Sequence, residues 1–171
     1  MPRQPFDLLD ILPAALHGRA FQGPGDLLAQ VPGEDYRLAL RHILDSLIGL
    51  PGLKIYWGTT GCSLRVAVPG RGLLSVGWIF PPDVPRWMGL TDLTLGWYDD
   101  GQGVDVSDAG QAALNDYFST LSRLDGEARP DSGAIRGWTF KSAATAAHAS
   151  ELGEAIHVVV SQLRADLTQV S

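Results

Sequence analysis

Between Leu53 and Tyr98 the chain alternates apolar and polar residues in four short runs, LKIYWGTT, GCSLRVAV, LLSVGWIF and TDLTLGWY, each bounded by Gly, Pro or Asp. A period of two sends successive side chains to opposite faces of a strand. Four such runs in tandem therefore predict an antiparallel meander with one apolar face and one mixed face. In the first run Leu53, Ile55 and Trp57 oppose Lys54, Tyr56 and Gly58; in the second Cys62, Leu64, Val66 and Val68 oppose Ser63, Arg65 and Ala67. The third sends Leu74, Val76, Trp78 and Phe80 one way and Leu73, Ser75, Gly77 and Ile79 the other, and its apolar character on both sides predicts a central strand. Pro81 and Pro82 stop it, since neither can donate to a ladder. In the fourth, Leu93, Leu95 and Trp97 oppose Asp92, Thr94 and Tyr98, and Val104 to Val106 read as a short return strand. The alternating AIRGWTF at 134–140 adds a fifth strand.

Helical spacing flanks this block. Tyr36, Leu40, Ile43, Leu44 and Leu47 form one stripe from Glu34 to Ile48, with Glu34 and Asp35 in the first turn where the helix dipole favours acids. Ser107 is placed to cap a second helix striped by Leu114, Tyr117, Phe118, Leu121 and Leu124. An Ala-rich stretch from Ser142 leads into a third stripe of Leu152, Ile156, Val159, Leu163 and Leu167, with Ser150 and Glu151 at its start. Near the amino terminus Phe6, Leu9, Leu12 and Leu16 recur at helical spacing around Pro13, and Gly23-Pro24-Gly25 reads as a break before a short turn. The expectation is an α+β fold: an antiparallel sheet of about five strands, meander 53–98 plus a strand near 134–140, packed on one face by helices. The whole of 1–171 reads as one domain, with 1–33 as a helical arm.

At 171 residues and 45% apolar, the chain can bury a core without metals or disulfides. Its 13 basic side chains face 19 acidic ones, and the deficit is spread along the chain, with four against six in residues 1–52, four against five in 53–106 and five against eight in 107–171. No basic segment exists to grip a phosphate backbone, so nucleic acid is not an expected partner. Cys62 is the single cysteine, which excludes an intrachain disulfide. Asp7 and Asp10 interrupt the first apolar run, unlike a signal peptide, and no run reaches membrane-spanning length. A reducing cytoplasm is the expected compartment. Arginines outnumber lysines eleven to two, a bias that fits a GC-rich bacterial genome.

Chemical motifs are sparse. The loop Gly58-Thr59-Thr60-Gly61-Cys62-Ser63 has the small residues of an anion-binding nest, but no GK[ST] or G-x-S-x-G pattern follows, and a hairpin turn whose glycines supply positive φ explains it. By alternation Cys62 belongs to the apolar face and reads as a core thiol. His17, His42, His148 and His157 fall on helical segments and make no metal motif; no metal or cofactor is expected. Asp99, Asp100 and Asp105 lack the calcium-loop register. The run of elements is also similar to that of a restriction-nuclease core, yet neither Lys54 nor Lys141 has an acid two positions before it.

The mixed face is what remains. If the strands pair in chain order, Lys54, Tyr56, Ser63, Arg65, Ser75, Asp92, Thr94 and Tyr98 share it, setting charges beside aromatic rings. Trp87, in the Pro-rich loop PPDVPRWMGL, is a natural partner anchor or a lid over the sheet edge. The order helix, four strands, helix, strand, helix resembles, at the level of fold, that of small acidic type III secretion chaperones; the likeness implies a chaperone-like role. Two functions compete. One is a non-catalytic protein-binding or adaptor module, self-associating or homodimeric, that uses this face and Trp87. The other is a small-molecule binder or enzyme with a pocket lined by Lys54, Tyr56, Arg65 and Asp92, where two cations beside a carboxylate would orient an anionic substrate.

Overall fold

A computed structural model describes residues 20–68, 72–82, 89–98, 106–130 and 134–165. In chain order these form α1 (Pro24–Ala29), α2 (Glu34–Leu47), β1 (Leu53–Trp57), β2 (Cys62–Val68), β3 (Gly72–Ile79), β4 (Leu93–Tyr98), α3 (Asp108–Leu121), β5 (Glu127–Ala128), β6 (Ile135–Phe140), α4 (Ser142–Ala147) and α5 (Ala149–Ala165). The expected α+β architecture is present. All strands join one antiparallel sheet in the order β1-β2-β3-β4-β6-β5, so the meander pairs in chain order and the strand from 135 docks beside β4. The sixth strand, β5, is only two residues long, too short to leave a periodic trace in sequence.

Helices cover one face. The α2 stripe of Tyr36, Leu40, Ile43, Leu44 and Leu47 is buried, as are Leu114, Tyr117 and Leu121 of α3 and Leu152, Ile156, Val159 and Leu163 of α5. They meet Leu64, Val66, Leu93, Leu95, Trp97 and Phe140 from the sheet in one continuous core. Each such side chain removed from water contributes about 1.5–3 kcal/mol, which is why short helices with one apolar stripe hold this position. Ser107 caps α3 by accepting from the Gly110 N–H at 3.0 Å. The Gly23-Pro24-Gly25 segment does not break the chain as expected. It starts α1, with Gly23 at the cap and Pro24 in the first turn, where a missing N–H costs nothing.

β3 departs from simple alternation. Leu64 pairs with Gly77 and Arg65 with Ser75, so Val76 is an extra residue on β3 and the register shifts there. Beyond this bulge the phase reverses. Val76, Gly77 and Ile79 go to the helix side, while Trp78 pairs with Ser63 and Thr94 on the other face. Trp78 is thus on the mixed face, not on the apolar one that alternation predicts. The bulge also turns the Val76 carbonyl out of the ladder, and it accepts from the Tyr117 hydroxyl at 2.8 Å. β4 meets β3 only at Leu93, Thr94 and Leu95, whereas its whole length pairs with β6. There Gly96 (φ +151) lies opposite Gly137, and a Cβ on Gly96 would run into the Arg136 carbonyl oxygen.

On the face away from the helices, Trp78, Phe80, Leu90 and Ile135 form a second, smaller cluster. Leu90, from the connection between β3 and β4, roofs this half of the face. The half over β1 and β2 has no such cover among the described residues, and Lys54 and Tyr56 are exposed there.

Candidate functional site

The β1–β2 hairpin builds the site. Gly58 N–H donates to Gly61 O at 2.8 Å, closing the turn over Thr59 and Thr60. Neither glycine has positive φ, contrary to expectation. Gly61 is needed for a different reason: a side chain there would collide with the Ile79 carbonyl oxygen and the Phe80 ring, so the hairpin tip lies directly against the end of β3. Behind the turn the register sets Tyr56 opposite Ser63 and Lys54 opposite Arg65. Ser63 in turn faces Trp78, and Arg65 faces Ser75.

Arg65 is held in place from two sides. Its guanidinium lies 4.3 Å from the centroid of the Tyr56 ring, and its Nε donates to Ser63 Oγ at 3.0 Å. The ring's negative face attracts the cation, and the hydroxyl fixes its rotation. Arg65 lines a cavity of about 360 Å³ whose walls include Tyr56, Ser63, Ser75, Trp78, Phe80 and the hairpin tip from Gly58 to Gly61. Neither Arg65 nor Lys54 makes an ion pair with a described residue. Two like charges directly across strands repel, so this corner of an otherwise acidic chain favours an anion between them.

Of the five residues singled out from sequence, Tyr56 and Arg65 line the cavity, while Lys54 lies opposite Arg65 in the ladder and is not part of the lining. Asp92 does not join them. It is wholly buried beside the start of β4, has φ +53, and takes Lys141 Nζ at 3.3 Å on its Oδ2. Two strands separate it from β1, about 14 Å at ordinary strand spacing. Trp87 lies outside the described residues, as do Val104, Leu167 and His17. Alternation alone could not find Trp78 as a wall of the cavity, because the Val76 bulge hid it; its signal was the apolar character of β3 on both faces.

Cys62 also borders the cavity, but its side chain belongs to the helix-side core. Burial pushes its thiol up from 9.0 to about 12, despite an opposing hydrogen bond to the Ile79 backbone, so it is held neutral and is a poor nucleophile. The described histidines sit on helix surfaces with neighbours of their own: His42 near Ser150, His148 with Asp125 at 2.7 Å, and His157 with the Ser46 carbonyl at 2.8 Å. Among the described residues no cluster of three potential metal ligands forms, and no helix is long and apolar enough to cross a membrane. Compared with known protein families, curated proteins and solved structures, the chain finds no match.

Proposed function

We propose that this protein is a non-catalytic binding module that captures a carboxylate-bearing partner on the uncovered half of its sheet, with Arg65 as the recognising group. One observation carries the reading: a guanidinium fixed by Tyr56 and Ser63 at the wall of a cavity, with no carboxylate of the described chain in contact. A fixed guanidinium offers two parallel N–H donors in a plane that matches a carboxylate, and little side-chain freedom is left to lose on binding. Aromatic walls on either side would hold an apolar body attached to that group. The same pocket is poorly equipped for catalysis. The carboxylate expected beside the two cations is engaged with Lys141 elsewhere, and the nearby thiol is kept protonated.

Benzoate, titrated into isotope-labelled protein and followed by NMR, tests this. Saturable shifts are expected at Tyr56, Ser63, Arg65 and Trp78, absent in Arg65→Ala and about tenfold weaker in Arg65→Lys, which keeps the charge and loses the fork. Equal shifts in Arg65→Ala, or shifts centred elsewhere, would overturn the proposal.

A further inference from the structure

Beside the cavity runs an edge of the sheet that no described strand covers, and its chemistry specifies a partner. We infer that β1 accepts an extended peptide of another protein as a seventh strand, one whose side chains alternate between acidic and apolar. The inference rests on the reading of Arg65 as a carboxylate-capturing group and says what carries the carboxylate.

The backbone comes first. β1 is terminal in the strand order and, among the described residues, pairs with β2 alone. Because Gly58 bonds Gly61 across the turn, counting back in twos assigns the inward hydrogen bonds to Tyr56 and Lys54, opposite Ser63 and Arg65. Ile55 and Trp57 therefore direct their N–H and C=O groups off the edge. Leu53 N–H is already satisfied by Leu50 O, and Gly58 O by Phe21 N–H, which bounds the available edge to one short segment.

Side chains then decide what fits. A strand added here continues both faces. On the helix side it meets Leu53, Ile55 and Trp57, each only half-buried for want of a neighbour. On the other side it meets Lys54 and Tyr56, with Arg65 one strand further in. Apolar residues suit the first face and carboxylates the second. A lysine on an edge is a common guard against strand pairing, and here it selects as well. A second copy of this chain would bring another Lys54 and Arg65 onto the same face, four cations together, whereas an acidic strand neutralises them. β1 itself contains no proline, and the register shift between β2 and β3 falls on β3, so neither of these two edge-closing devices lies on β1.

The test uses the full chain and a synthetic capped heptapeptide of alternating valine and glutamate. Controls are the valine–lysine peptide, the valine–glutamate peptide N-methylated at the glutamates and, separately, at the valines, and benzoate. Binding of the acidic peptide is expected to slow amide exchange at Ile55 and Trp57. One of the two N-methylated peptides should bind about tenfold more weakly through loss of edge hydrogen bonds. The lysine peptide should not bind. Lys54→Glu, at an exposed position and checked by its melting curve, should weaken the acidic peptide about tenfold or more. Three results overturn the inference. If both N-methylated peptides bind like the parent, carboxylate capture stands and strand addition falls. If neither the peptide nor benzoate gives Arg65-dependent shifts, both fall together. If Ile55 and Trp57 are already slow without peptide in a species that sediments as a dimer, the edge is occupied by a second copy.

Discussion

Cys62 shows how burial turns a reactive group into a structural one. Its thiol ionises near 9.0 in the unfolded chain and near 12 in the fold. A pKa raised by folding contributes stability that is whole below the unfolded value and is lost as pH climbs toward the folded one. Unfolded chains shed the proton first, so each pH unit above 9 should cost about 1 kcal/mol. Tyr117, whose phenol burial also drives upward, adds its own loss only above its ordinary value of 10.0. Urea midpoints at pH 8, 9, 9.5 and 10 separate the two: Cys62→Ala should flatten the decline between 9 and 10. An unchanged slope in that variant would mean the thiol is not the group responsible. Reaction of the native thiol with a disulfide reagent at pH 8 should accordingly follow the rate of opening, not the rate of chemistry.

At the scale of elements, the bulge in β3 determines what each face carries. By adding Val76 it hides Gly77 and Ile79 under the helices and turns Trp78 outward, and the carbonyl it displaces is satisfied by Tyr117 from α3. Tyr117→Phe keeps the ring and leaves that buried carbonyl without its donor, so a loss of about 1–3 kcal/mol is expected from denaturant unfolding. A loss near zero would mean that water reaches Val76. Bulges of this kind explain where reading the sequence succeeded and failed. The meander strands, the strand near 135–140 and the three helix stripes follow from periodicity, because each depends on a pattern repeated over several residues; the two-residue β5 and the docking of β6 beside β4 do not. The phase of β3 did not, since a strand apolar on both faces gives no mark where one residue is inserted. Asp92 was misjudged for a related reason: alternation was extended one residue past the strand, to a left-handed position where it no longer applies. Lys54, Tyr56 and Arg65 are legible on one face because β1 and β2 pair in regular register, Lys54 opposite Arg65 and Tyr56 opposite Ser63.

Across the whole molecule, stability should be graded from centre to rim. β3, β4 and β6 lie between two apolar clusters, and α5 is flanked by α2 and α3 on the covered face. β1, β5 and the six-residue α1 have neighbours on fewer sides. Amide hydrogen exchange should therefore protect β3, β4, β6 and α5 to near the global unfolding free energy, while β1, β5 and α1 open first. Protection of β1 equal to that of β4 would contradict the picture of an accessible edge. Trp78 is shared between the two halves of the uncovered face. The same indole walls the cavity beside Arg65 and packs with Leu90 at the root of the β3–β4 connection. A guest settling against one side of that ring is felt by Leu90 on the other, so filling the cavity and packing this smaller cluster are one energetic event, with Trp78 emission as a built-in reporter.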